Sequence, residues 1–197
     1  MIHPDTEVRF ISDEIGYGVV ATRLIPKGTI TWVADKLDRV FTQEEFNQMD
    51  SIYQDILEKY TFRDKDGKLI LCWDNARFVN HSFNSSCVST AYNFEIAVRD
   101  IHPGEQLTDD YGYLNVSEPF DCITEEGSDR TAVYPDDLLK YHSIWDAKVE
   151  EAIQFTPKLE QPLKNLLENG VWNKVLRIAN REEKLQSILS CYYNPVY

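Results

Sequence analysis

Residues 7 to 34 hold three short runs, VRFIS, GYGVVATR and PKGTITWVA, each rich in β-branched or aromatic side chains and bounded by turn formers. They predict a β-meander. From Thr42 to about Tyr60 the spacing becomes helical, with Phe46, Met49, Tyr53, Ile56 and Leu57 on one face and Thr42 with Glu45 as a capping box. One helix inserted between strands is expected there. Asp64 to Gly67 reads as a hairpin turn into the strand KLILCW, and a later strand, STAYNFEIAVRDI, ends at the turn His102-Pro103-Gly104. Between them ARFVNHSFNSSC has no period, and its Asn, His and Ser residues suit irregular backbone.

After Gly112 the stretch LNVSEPFDCITEEGSDRT carries no periodic signal, so a boundary is expected near residue 120. Beyond Pro135 apolar residues recur at three and four, from Leu138, Trp145 and Val149 through Val171 and Val175 to Ile188. The tail therefore reads as helical throughout, its stripes as packing surface. The organisation expected is residues 1–120 as one domain, with its inserted helix at about 42–60, and residues 121–197 as a linker and helical lobe.

Composition narrows the class. The chain has 197 residues, 43% hydrophobic and 12% aromatic, enough to bury a core. The longest apolar runs, such as Leu69 to Trp73, fall far short of the roughly 20 residues of a membrane span, and MIHPDTEVRF lacks a signal-peptide core. A soluble intracellular protein is expected, in the cytoplasm or, in a eukaryote, the nucleus. Cys72, Cys87, Cys122 and Cys191 form no C-x-x-C pair and read as reduced thiols. A net charge of −13 argues against direct nucleic-acid binding and for a cationic partner; −9 of it lies in the first 120 residues.

Three segments carry candidate chemistry. Gly16-Tyr17-Gly18 lets backbone approach a ligand closely, although a lone G-x-G is more often a turn or bulge. Arg77-Phe78-Val79-Asn80-His81-Ser82 sets two hydrogen-bonding side chains together, where a local Asn-Ser turn is the plain alternative. Gly104 to Gly112, GEQLTDDYG, could be a turn and short strand with Tyr111 a buried, hydrogen-bonded residue.

In this order and with these gaps, and with I-P-K-G-T between the first two, the segments resemble the SET-domain family of lysine methyltransferases over roughly residues 8 to 122. The resemblance implies an α+β fold, a β-clip of small sheets with a pseudoknot that brings Asn80 and His81 against Tyr111, here followed by the helical C-terminal lobe. It implies S-adenosylmethionine as methyl donor. The backbone at Gly16, Tyr17 and Gly18 would hold its methionine end and Asn80 and His81 its nucleoside, with Arg77 bracing their loop and Tyr111 as catalytic tyrosine. The implied substrate is a protein with an exposed lysine, in a basic segment, with no membrane or nucleic acid involved. A small-molecule amine, or a SET-like module that binds without catalysis, are the alternatives.

The chemistry suits these roles. A lysine amine attacks only through its lone pair, yet with a pKa of about 10.4 it is protonated at neutral pH. A nearby sulfonium and a dry channel lower that pKa, and a water chain could then carry the proton away without a dedicated base. Tyr111 would need only to orient the reactants.

Two departures from the family matter. Many members close the site with a cysteine-rich cap that shares a zinc ion with an N-H-S-C cysteine. Here Phe83 and Thr124 replace two ligands and only Cys122 survives, so no zinc is expected. The tail would have to supply the missing wall, with Phe120 either packing on adenine or serving as an ordinary core aromatic. The second departure is Asp109, where relatives often carry an aromatic residue lining the lysine channel. A carboxylate there either holds a cationic amine or faces solvent, and product multiplicity turns on which.

Overall fold

The computed structural model describes residues 1–194. Strands β1 (Thr6–Ser12) and β2 (Gly16–Ala21) form a hairpin that turns at Gly16, whose φ of +81° a glycine adopts without strain. Strand β3 (Ile30–Val33) leaves that hairpin. Strand β4 (Arg39–Phe41) leads into helices α1 (Gln43–Asn47) and α2 (Ser51–Tyr60), then β5 (Thr61–Arg63) and β6 (Leu69–Leu71). Further on lie β7 (Asn80–His81), β8 (Cys87–Ser89), β9 (Phe94–Ala97), β10 (Thr108–Asp109), β11 (Phe120–Asp121) and β12 (Ala132–Val133). Helices α3 (Asp137–Ala152) and α4 (Val171–Ala179) follow.

The strands make five small sheets: β1-β2, β3-β9-β8, β4-β6-β5, β7-β10 and β11-β12. The expected meander is thus replaced by a hairpin plus a strand that pairs with β9, because Ile30 and Val33 bury against the later hairpin. The single strand expected over residues 89–101 is itself a hairpin, β8 and β9, turning at Asn93 (φ 59°), a residue that tolerates left-handed backbone. The Asp64–Gly67 turn forms as expected, the Asp64 carboxylate accepting from the backbone N–H of Asp66 and Lys68 at 2.9 Å each.

The helix expected over 42–60 is two helices. The Thr42–Glu45 capping box starts α1, but extended backbone at Asp50 (ψ 149°) breaks the run, and Gln54 Nε2 caps the first piece through the Phe46 carbonyl. Phe46, Met49 and Leu57 reach a small cluster with Phe41 and Leu69. Tyr53 and Ile56 do not; both are exposed.

The tail also departs from continuous helix. Among the described residues of the tail only α3 and α4 are α-helical; one-turn 3-10 helices stand at Thr156–Lys158 and Lys164–Leu166, near Pro157 and Pro162 that lack backbone donors, and at Ile188–Cys191. The side chains of Leu138, Trp145, Val149, Ile153, Val175, Ile178 and Ile188 join Ile30, Val88, Phe94, Ile96 and Tyr113 in one buried cluster. Tail and sheets share that core.

Candidate functional site

Parallel pairing of β7 with β10 sets Thr108 beside Asn80 and Asp109 beside His81, joining segments far apart in the chain. Ser82 N–H donates to the Asp109 carbonyl (2.9 Å), and Ser86 and Thr108 exchange hydrogen bonds at 2.9 and 3.1 Å. The chain then turns through a 3-10 helix at Tyr111–Tyr113. Tyr111 is fixed at both ends: its N–H donates to His81 Nδ1 (3.1 Å) and its hydroxyl to the Val79 carbonyl (2.6 Å).

The same short strand holds the glycine segment. Asn80 Nδ2 donates to the Tyr17 carbonyl (3.2 Å) and to Gln106 Oε1 (2.9 Å). A Cβ on Gly18 would lie 2.5 Å from Gln106 Oε1 and 2.6 Å from Asn80 Nδ2, so only glycine allows this approach. Arg77 stands apart. Its guanidinium donates to the Trp73 and Asp74 carbonyls (3.0 and 3.2 Å) and lies 5.0 Å over Phe78, bracing its own turn.

A cavity of about 740 Å³ opens beside these segments. Arg77, Asp109, Tyr111 and Phe120 line it, together with Trp32, Tyr60, Val79 and Glu95. Gly16, Tyr17, Gly18, Asn80 and His81 do not line it; they reach Tyr111 through the Asn80 and His81 contacts. Phe120 is 38% exposed on β11, with ring centroids 6.2 Å from His81 and 6.3 Å from Tyr111, so it is not a core aromatic. Asp109, at 5% exposure, does not face solvent; Tyr113 Oη donates to its Oδ1 at 2.9 Å.

The floor of the cavity is acidic. Burial pushes the Asp109 carboxyl up to about 6. Glu95, hydrogen-bonded to Asp109, is raised well above the usual carboxylate range by burial first and by the Asp109 charge second. The same burial and the same two carboxyls raise the Tyr111 hydroxyl, which therefore stays a neutral phenol. Burial lowers His81. Its ring is neutral, and with Nδ1 accepting from Tyr111 the proton sits on Nε2, a buried atom with no protein partner.

Sequence reasoning missed Glu95, Gln106, Glu125, Asp110 and Arg130. Glu95 alternates with the inward-facing Phe94 and Ile96, a pattern that assigns it to solvent; in the fold it instead lines the cavity, together with residues of β5 and β6 and Tyr111. Glu125 accepts from Ser82 Oγ (2.8 Å), Phe83 N–H (3.2 Å) and Asn84 N–H (3.1 Å), clamping the turn after His81. Phe83, at a zinc-ligand position of the family, lies against His81 (4.4 Å) and under Arg130 (4.3 Å). Among the described residues no three His, Cys, Asp or Glu are grouped so as to hold a metal ion.

The family model for the SET domain matches residues 16–112. The "Variant-silencing SET domain-containing protein" of Plasmodium falciparum (isolate 3D7) is 24% identical over 89% of this chain, which spans only 7% of that protein's length. The crystal structure of the methyltransferase domain of human histone-lysine N-methyltransferase SETMAR superposes with a TM-score of 0.46 at 17% identity, covering 66% of this chain and 58% of that one. The glycine segment, the Asn80-His81 strand and Tyr111 all lie inside the matched residues, and the chain carries a SET domain over residues 16–112.

Proposed function

We propose that this chain is an S-adenosylmethionine-dependent methyltransferase acting on the side-chain amine of a protein lysine. The observation that carries the reading is Tyr111: its phenol is fixed by the Val79 carbonyl on the wall of a cavity lined also by Asp109 and Glu95, and its N–H by His81, the neighbour of the Asn80 that holds the glycine segment. A tyrosine so placed can orient a nucleophile; it has no need to titrate.

The residues fit the donor. When bound, S-adenosylmethionine supplies a methyl carbon made electrophilic by its sulfonium. The backbone at Gly16 to Gly18 would take the methionine end, the position of a Gly16 Cβ being clear of any atom within 4 Å. His81 Nε2 is a buried donor without a partner, and Phe83 and Phe120 stand at its ring edges, so a heterocycle with an acceptor would meet both needs. Arg77 would act indirectly, by holding the turn before Asn80. Asp109 would line the amine channel.

The charge of −13 suits a substrate lysine set in a basic segment, and the four free thiols suit a reducing, intracellular setting. Titration calorimetry with S-adenosylmethionine, followed by labelling of lysines in a host lysate with methyl-labelled donor, tests the reading. Binding and label on lysine are expected. Tyr111→Phe should lower turnover about 100-fold with donor affinity within twofold; equal turnover would remove Tyr111 from the mechanism.

A further inference from the structure

Glu95 lies in the middle strand of the β3-β9-β8 sheet, opposite Trp32 on one side and Ser89 on the other. Its side chain reaches the cavity floor, where it meets Asp109 from β10, and both carboxyls line the cavity together with Tyr111. Ser89 Oγ donates to Glu95 Oε1 at 3.1 Å and Tyr113 Oη to Asp109 Oδ1 at 2.9 Å, so each carboxyl is oriented by a hydroxyl. Among the described residues neither has an ion-pair partner.

Asp109 is buried and Glu95 half-buried on the same cavity, and two carboxyls so placed do not both ionise; they hold one proton between them and a single negative charge. The groups that face the pair are Cys87 and Ser89 on β8, Trp32 on β3, Cys72 after β6, Tyr111 and Tyr113; the Met1 ammonium also acts on Glu95 but is itself ion-paired with Asp35 at 2.9 Å. Asp110 lies behind them, tied to Arg130. Lys59, Arg63 and Arg77 stand elsewhere on the cavity wall. A buried, uncompensated charge at the end of a cavity is complementary to a cation.

We infer that Glu95 and Asp109 together bind the ammonium head group of the substrate at the cavity floor and take up the proton that the amine must lose. The inference rests on the methyltransferase reading and deepens it, replacing the water chain with a base built into the protein. One N–H bond of the ammonium breaks, and its electron pair stays on nitrogen as the attacking lone pair. One O–H bond forms on the pair, which passes from one shared proton to two and later releases one to water. The rise of both carboxyls above their usual range brings the acceptor close to neutral pH, where a base works best.

The test has two arms, with Glu95→Gln and Asp109→Asn each checked for native circular dichroism. The first measures binding of n-butylammonium, with n-butanol as the neutral counterpart. Butylammonium should bind the unmodified chain at least tenfold more tightly at pH 8 than at pH 5, and the Glu95→Gln, Asp109→Asn double variant, folded by the same criterion, should lose tenfold at pH 8 with butanol unaffected. The second follows methyl transfer to a lysine-containing peptide against pH. The acid limb of the profile should move by more than half a pH unit in each variant while donor affinity stays within twofold. Equal butylammonium binding by the unmodified chain and the double variant, or none by either, overturns the inference, as does an acid limb that stays put. A chain that binds butylammonium as described yet transfers no methyl group would instead sink the methyltransferase reading and leave the cation site standing.

Discussion

The Arg130 guanidinium donates to the buried Asp110 carboxylate, one residue before Tyr111, and so ties the β11–β12 segment to the strand that presents the tyrosine. Its second nitrogen reaches Asp137 Oδ2 at 2.6 Å at the start of α3, and its plane lies over Phe83 (4.3 Å) and Tyr141 (4.4 Å). One cation thereby holds together the β11–β12 segment, the start of α3 and the segment that presents Tyr111. Arg130→Met would strand two buried carboxylates, and we expect a loss of about 3–5 kcal/mol in urea unfolding. Arg130→Lys should recover only part of it, because an ammonium cannot fork between two carboxylates.

Gly18→Ala tests the contact between the glycine segment and Asn80. The new methyl would meet Gln106 Oε1, Asn80 Nδ2 and Ile11 Cγ1, all inside 3.0 Å. We expect a cost of about 1–3 kcal/mol in stability, from overpacking and displaced hydrogen bonds. Donor affinity measured by calorimetry should fall at least tenfold; an unchanged affinity would show that the segment does not hold the donor.

Asp109 makes stability depend on pH with a definite sign. Its folded value, about 6, lies above the ordinary 3.8, so the native state binds the proton more tightly than the unfolded chain. That contribution is full below pH 3.8 and is lost as pH rises to about 6. Asp109→Asn should therefore gain stability relative to the unmodified chain between pH 4 and 6 and hold a constant advantage above pH 7. Melting temperatures across that range check it; a difference that does not vary with pH would show that Asp109 is not so shifted.

Trp145 decides whether the tail is core. It is 2% exposed, packs edge-on to Tyr113 at 5.2 Å and donates Nε1–H to Asp110 Oδ2 at 3.2 Å. Trp145→Ala should cost about 3–5 kcal/mol by thermal or urea unfolding. Deleting residues 135 to 197 would remove this side chain with Val149, Ile153 and Ile188, so such a truncation should fail to fold rather than report on a lid.

Elements whose determinants are local could be read from the chain. The Thr42–Glu45 capping box and the Asp64–Gly67 and His102–Gly104 turns form where their residues predict, because each is a short-range hydrogen-bonding arrangement. The three candidate segments were legible only as a family pattern. Asn80, His81 and Tyr111 are polar or aromatic residues in irregular backbone, and spacing alone gave a turn as good an account. Tyr53 and Ile56 show the opposite failure: helical periodicity marks them as core, but α2 sits at the rim with little to bury them against.

The amino-acid sequence by itself determined the family pattern, the local turns and caps, and the apolar stripes that α3 and α4 bury. Only the tertiary structure decided that β3 pairs with β9, that tail and sheets share one core, and that Arg130 stands between Asp110 and Asp137. It alone enclosed Glu95 with Asp109. The reason is physical: capping and turns act over three or four residues, whereas the charge state of Glu95 depends on burial and on Asp109, brought beside it from β10. No window of sequence contains that enclosure.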